Sequence, residues 1–293
     1  MPFFAIFFGL CLTDAGYGLV LSILTFIALK KLRLGGNARK LLLLLFWSGI
    51  ATVVAGAVTG GYFGFQAPPG SFLGKLKLFD PLEDALVFFR LALIFGAAHI
   101  FTGFAAKMYM EVKRGNVIGG VLTQLPWMMV VVGLGIVMIN YLGPLGPGLV
   151  RLGKYALLAG AIGIVLFNGL GSPNLFARIA KGLGGLYGII GVFSDILSYS
   201  RLLALGLATA VIAGVIDILA KMITHIPFGI GLVAMVIILL LGHLGYLAIC
   251  CLGAFVHTAR LNFVEFFSKF YQGGGREFKP FKRESEYVIV VEG

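Results

Sequence analysis

Residues 2–30 read PFFAIFFGLCLTDAGYGLVLSILTFIALK, and how this run is divided decides the fold. A helix needs about 20 apolar residues to cross roughly 30 Å of hydrocarbon, so the run is long enough for one crossing and too short for two complete ones. Its middle, Thr13-Asp14-Ala15-Gly16-Tyr17-Gly18, sets an acid beside two glycines. Backbone freed from a helix in lipid must find its hydrogen bonds inside the protein, so the break predicts a re-entrant turn or a pair of helices.

The rest of the chain repeats this apolar character. Hydrophobic residues make up 59% of the 293 residues and charged residues 12%, with a mean hydropathy of +1.02, a balance that a water-exposed surface could not carry. Apolar runs near 3–29, 41–63, 86–110, 117–140, 153–170, 184–222 and 228–271 predict seven crossings, or eight if the first run is broken. The expected fold is therefore all-α and polytopic, one integral membrane domain over residues 1–293 with about eight transmembrane helices. Its last two runs are the longest. At about 1.5 Å per residue they reach on the order of 58 and 65 Å, so they must tilt or project beyond the bilayer.

Lysine and arginine collect in KKLRLGGNARK (30–40), KMYMEVKRGN (107–116), NLFARIAK (174–181) and REFKPFKRE (276–284), which places these four segments and the C-terminus on the cytoplasmic side. GGYFGFQAPPGSF, YLGPLGPG and THIPFG then lie on the opposite side, where Arg151 and Lys154 run against the rule. The formal charge of +11 is spread over short loops, without one basic patch carrying interleaved aromatics. Anionic lipid headgroups account for it and nucleic acid is not an expected partner. Cys11, Cys250 and Cys251 lie within apolar runs at spacings unlike a metal site, so no metal and no cofactor is expected. No nucleotide-binding loop, zinc-protease helix or nucleophile elbow occurs, so no active site of the chain's own is expected. Gly56, Gly60 and Gly64 are spaced as a ridge of small residues, which suits internal helix packing.

Against this background FSDILSYSRLLALGLA (193–208) places Arg201 deep in an apolar run, and Arg260 repeats the pattern in the last one. An arginine keeps its charge in essentially any protein setting, and holding it at mid-membrane costs a few to more than ten kcal/mol. Asp195, Asp217 and Glu265 are the acids that could neutralise the pair. Asp195 is six residues from Arg201, roughly 120° around a regular helix, which puts it off the same face. That face carries Tyr187, Ser194, Ser198, Leu205 and Thr209. On the last run His243, Cys250 and His257 fall at seven-residue intervals, with His257 one turn before Arg260. Two histidines on one stripe near an arginine suit either core packing or the handling of protons or ions.

FSDILSYSRLLALGLATA and LGAFVHTARLNFVEFFSKFYQGGGREFKPF resemble the membrane half of subunit a of V-type and A-type rotary ATPases, called subunit I in bacteria and archaea. PFFAIFFGLCLTDAGYG and GAAHIFTG are similar to it too, so the resemblance covers nearly the whole chain. The resemblance implies eight membrane helices, a cytoplasmic C-terminus and a multi-pass protein of the cell membrane. It implies a stator with two aqueous half-channels against a rotating ring of proteolipids, coupling H+ or Na+ movement to rotation in an ATPase or ATP synthase complex. Arg201 matches the essential mid-membrane charge and Arg260 the second arginine beside it. Tyr187, Ser194, Asp195 and Glu265 are then candidates for the cytoplasmic half-channel, and Asp14, Thr209, His243 and Cys250 for the outer one, with His257 beside the arginines.

Two positions depart from the eukaryotic members. A histidine eight residues after the first arginine is Thr209 here, and a glutamate ten before the second is Cys250, which leaves Asp14 and His243 as substitutes in the outer path. The family's N-terminal cytoplasmic arm, which docks on the peripheral stalk and the soluble ATPase subunits, has no counterpart in these residues. The chain is therefore expected either to be the membrane part of a longer or split protein or to have lost the coupling arm. The alternative from another class is a self-contained secondary transporter or ion channel. That class usually carries two repeated halves, and no internal repeat is evident. A plain membrane anchor would have no use for two mid-membrane arginines.

Overall fold

Thr13 and Asp14 are the two non-helical residues that divide the first apolar run into α1 (Pro2–Leu12) and α2 (Ala15–Lys31) in a computed structural model of the chain. Residues 2–32, 35–66, 70–168, 175–224, 230–271, 273–274 and 278 are described. The basic segment at 276–284, most of THIPFG and the end of NLFARIAK's preceding loop lie outside them, apart from the backbone of helical residues 175–180 and residue 278. The remaining helices are α3 (Gly36–Thr59), the short α4 (Phe72–Leu76), α5 (Ala85–Lys113), α6 (Val117–Leu142), α7 (Pro147–Phe167), α8 (Leu175–Leu197), α9 (Ser200–Ile223) and α10 (Ile230–Arg260). A two-strand hairpin, β1 (Gly61–Tyr62) and β2 (Phe65–Gln66), follows α3.

The predicted break is a reversal of chain direction. α1 runs alongside α3 in the same sense, with Pro2 sharing a groove with Lys40 and Leu43 and Gly9 backed against Ala51. α2 runs back down α3, with Gly18 against Val53, Gly49 against Ser22, and the Phe26 and Phe46 rings 6.1 Å apart. Glycine is needed at these approaches because a Cβ on Gly9 or Gly18 would stand within 3 Å of the α3 backbone. Helices in lipid gain little from hydrophobic burial against one another, so close backbone contact through small residues is what binds α1 and α2 to α3.

The turn itself stores strain. Thr13 has φ of 43°, an unusual value for a β-branched residue. Three hydrogen bonds hold it there: its N–H donates to Gly9 O at 2.9 Å, its hydroxyl to Gly206 O at 3.2 Å, and its own carbonyl accepts from Thr59 Oγ1 at 3.0 Å.

Among the described residues, six helical runs are long and apolar enough to cross a membrane: 36–59, 85–113, 117–142, 147–167, 181–223 and 230–269. α1 and α2, at 11 and 17 residues, fall below that length, so the expected count of eight reduces to six full-length runs plus this helical pair. The two expected long rods are present as runs of 43 and 40 residues. Each changes its winding beside its arginine. In the first, Ser198 and Tyr199 form a tighter turn between α8 and α9, with Leu202 N donating to Tyr199 O. In the second, α10 ends at Arg260 and continues as a π-helical segment, Leu261–Phe266, then a 3-10 turn, Phe267–Lys269. Irregular turns of both kinds inside long helices often mark functional or strained positions.

The glycines at 56, 60 and 64 do not form one helical ridge. Gly56 lies in α3 against the Asp14–Ala15 backbone, Gly60 caps α3 at φ of 76°, and Gly64 occupies the hairpin turn at φ of 80° against Ala213 and Gly214. A ridge requires all three to be helical, and only the first is. Internal packing, the role expected of them, holds at all three.

α1 is the hub of the assembly. It packs on α3, α9 and α10, and Phe7, Phe8, Cys11 and Leu12 are essentially inaccessible. α5, α6, α7 and α8 follow as successive antiparallel neighbours, and α5 closes the arrangement against α8 and α9. α10 is the least covered long helix, with 6% of its apolar window buried, and leucine, isoleucine and valine make up most of what it exposes.

Candidate functional site

α9 and α10 are antiparallel, and their seam carries most of the polar residues singled out in the sequence. From one end, Lys269 and Asp195 form an ion pair. Leu205 then meets Gly253, Thr209 Oγ1 lies 3.8 Å from Cys250 Sγ, Ile216 covers Gly242, and Asp217 Oδ1 lies 3.2 Å from His243 Nε2. Steps of eight residues on α9 and seven on α10 therefore stay in register. Arg201 belongs to this series, one step from Thr209 and short of the Asp195–Lys269 end.

Arg201 is half-buried. Its Nη2 donates to Ser198 Oγ at 3.3 Å, and its Nη1 is buried with no hydrogen-bond partner among the described residues. The tight turn at Ser198–Tyr199 places that serine hydroxyl under the guanidinium. Asp195 does not pair with Arg201, in keeping with the angular argument, because Lys269 from the far end of α10 has taken it. Arg260 is more exposed, 56% for the side chain, and its Nε approaches Glu265 Oε1 at 3.9 Å. The π-helical segment brings Glu265 inward to 2% exposure, where it lies in the field of both arginines and keeps Oε2 unpartnered among the described residues. Asp217 pairs with His243 and Asp195 with Lys269, so of the three acids weighed as counter-charges only Glu265 approaches an arginine.

Beside the arginines His99 is completely buried, with Nδ1 2.7 Å from Tyr199 Oη and its ring stacked on Phe266 at 4.3 Å and 11°. Tyr199 is the turn residue next to Arg201, and Phe266 ends the π-helical segment. One imidazole thus ties together the two irregular turns. Its Nε2 has no partner among the described residues.

At the other end of the seam Tyr17 Oη lies 2.7 Å from His243 Nδ1, so Tyr17, His243 and Asp217 form a connected chain across α2, α10 and α9. Asp14 lies close by in a different role. Its Oδ1 accepts from Tyr17 N and Phe63 N, each at 3.0 Å, and its Oδ2 from Gly64 N at 3.1 Å. It caps α2 and anchors both residues of the hairpin turn, whose backbones sit at positive φ.

The remaining candidates separate. Thr209 is 2% exposed and donates to Leu205 O at 2.9 Å, with Cys11 O at 3.3 Å. Cys250 faces it and is a free thiol, as are Cys11 and Cys251. His257 is half-buried, with Nδ1 unpartnered among the described residues, and the seam register carries it to the level of Arg201. Ser194 is exposed on α8, though its carbonyl accepts from Ser198. Tyr187 is 78% exposed, and the turn at Ser198–Tyr199 breaks the regular winding that would have aligned it with Arg201.

An all-α polytopic membrane protein that buries charge along the seam of two long antiparallel helices defines the class. The comparisons narrow it. Residues 187–283, which contain the whole seam, match the V-type ATPase 116 kDa subunit family. Over 289 residues the chain is 35% identical to A-type ATP synthase subunit I of Pyrococcus horikoshii, covering 97% of this chain and 42% of that protein. It is 36% identical over 296 residues to the subunit I of Thermococcus kodakarensis, with the same two coverages. It is 28% identical over 295 residues to V-type ATP synthase subunit I of Borreliella burgdorferi, covering 97% of the chain and 48% of that protein. The chain is similar to subunit I of A-type and V-type ATP synthases, and it spans less than half the length of these three proteins.

Proposed function

We propose that this chain is the ion-translocating stator part of a rotary A-type or V-type ATPase, lying in the cell membrane with its basic helix ends in the cytoplasm. In this reading the sparsely covered face of α9 and α10 meets a ring of proteolipids, each with a mid-membrane carboxylate. Two polar paths approach the ring from opposite sides of Arg201. Glu265, Asp195 and the exposed Ser194 and Tyr187 belong to the cytoplasmic path, and Thr209, Cys250 and His243 to the outer one. In this reading, coupling to the soluble ATPase subunits and the peripheral stalk runs through the N-terminal arm that the family resemblance implies.

The observation that carries this reading is the position of Arg201: partly desolvated, with a guanidinium nitrogen unpartnered among the described residues, and flanked along one seam by a polar cluster on each side. A fixed positive charge there favours the ionised form of a passing carboxylate, so the ring site gives up its ion beside it. The same charge repels a cation trying to pass directly between the two paths. Asp14, with both oxygens engaged by backbone N–H groups, supports the turn that holds Tyr17 in this frame.

The test is Arg201→Ala in the assembled complex, reconstituted in liposomes. ATP-driven ion pumping is abolished while the chain still inserts and assembles. Arg201→Lys fails as well, because a compact, strongly hydrated ammonium does not reproduce the geometry of a guanidinium. Normal pumping by Arg201→Ala would remove the core of the reading.

A further inference from the structure

We infer that Tyr17, His243 and Asp217 form a proton-binding station at the outer end of the α9–α10 seam, which makes H+ the ion this chain handles. The inference rests on the stator reading and assigns the chemistry of its outer path.

Three observations converge. The imidazole of His243 has both nitrogens engaged, Nδ1 by Tyr17 Oη at 2.7 Å and Nε2 by Asp217 Oδ1 at 3.2 Å. Asp217 is 4% exposed, yet its Oδ2 has no hydrogen-bond partner among the described residues. A buried carboxylate oxygen left without a donor is costly, and a proton is the smallest thing that meets the need. Tyr17 and His243 also line a cavity of about 400 Å³ with Val236, Leu240 and Leu247, so apolar walls surround the pair and strengthen its electrostatics.

The proton balance closes on these atoms. In the empty station Tyr17 Oη–H donates to Nδ1 of a neutral imidazole, and Nε2–H donates to the Asp217 carboxylate. One proton taken from water at Asp217 Oδ2 gives a neutral acid and leaves both hydrogen bonds in place. A proton arriving at Nδ1 instead gives an imidazolium, with Nε2–H on the carboxylate and Nδ1–H turned toward Tyr17 Oη as the hydroxyl rotates from donor to acceptor. Either form holds one proton more than the empty station and is net neutral where the empty station carries one negative charge.

A hard metal cation would want several oxygen ligands, and the station offers one free oxygen next to an imidazole with no nitrogen to spare. The other charged or titratable groups facing the station are Asp14 at the α2 cap, Lys221 one turn along α9, and Tyr246 and Cys250 on α10. Asp14 is saturated by backbone donors, so Asp217 is the acid with an open oxygen.

The test uses the whole complex purified from its host and reconstituted in liposomes, with ATP-driven acidification and radioactive sodium uptake measured together. The wild type acidifies in sodium-free buffer and takes up no sodium. Asp217→Asn lowers acidification per ATP hydrolysed by at least about tenfold, a floor set below the roughly 100- to 10,000-fold that a positioned proton-transfer group contributes. Asp217→Glu, which keeps an ionisable oxygen, retains most of it, and Tyr17→Phe shifts the pH dependence of pumping. Where Asp217→Asn does not assemble, the nearly isosteric His243→Gln decides on the same threshold. Sodium uptake by the wild type overturns the proposal, as does full acidification by Asp217→Asn or His243→Gln. Arg201→Ala run in parallel separates the two ideas: if it is inactive while these variants pump normally, only the station fails, and if it pumps normally the stator reading fails.

Discussion

Thr209 and Cys250 face each other across the α9–α10 seam with Oγ1 and Sγ 3.8 Å apart. A small hydroxyl and a thiol fill the space there without charge.

This contact predicts strong coupling. Thr209→His alone, or Cys250→Glu alone, sets a large polar group against a partner that cannot answer it and lowers the yield and thermal midpoint of the assembled complex. The double variant recovers part of the loss, and the coupling in a double-mutant cycle is about 1 kcal/mol or more. Additive losses would place the two side chains out of contact.

Asp14 yields a second prediction. Asp14→Ala strips the acceptor from three backbone N–H groups and removes the α2 cap, at a cost of about 2–5 kcal/mol. Asp14→Asn keeps an acceptor oxygen for some of these donors and loses less. The check is the thermal midpoint of the complex in detergent. A wild-type midpoint for Asp14→Ala combined with failed pumping would mean that the acid acts on the ion and not on the turn.

Gly56 supplies the third. A Cβ there would stand 2.7 Å from Ala15 Cα, inside any tolerable contact between saturated carbons. Gly56→Ala forces α3 away from the α1–α2 turn and destabilises the subunit by about 1–3 kcal/mol. Gly35→Ala, at a position where nothing lies within 4 Å, serves as the matched control and leaves the midpoint within about 0.5 kcal/mol of wild type. Equal midpoints for the two variants would rule out the close approach.

Much of the fold was legible because its signals are local. The break at TDAGYG, the apolar runs and the two arginines in oily surroundings each follow from residue type and spacing alone. The irregular winding beside the arginines was not legible. Neither Ser198-Tyr199 nor Leu261–Phe266 contains glycine or proline, and their geometry answers to contacts made through His99, which lies 100 residues before Tyr199 and well over a hundred before Phe266. The site divides in the same way. Arg201 stands out as a charge in an apolar run, and Thr209, His243 and Cys250 are singled out by their helical spacing. Tyr17 and Lys269 were missed because what makes them matter is a partner on a distant helix, His243 in one case and Asp195 in the other. Asp217 stood out only as a possible counter-charge, since nothing in its own helix points to His243.

The bonds that fix the first turn bear on how the protein is made. Thr13 waits for Gly206, Cys11 for Thr209 and Tyr17 for His243, partners 193, 198 and 226 residues further on. At roughly 5–20 residues per second, a ribosome delivers the last of them on the order of 10–45 s after the first helix has emerged. Through that interval α1 and α2 pack on α3, and α1 then on His99 of α5, while the Thr13 and Tyr17 hydroxyls still await their distant partners. The α1–α2 pair is thus made well before the contacts that complete it.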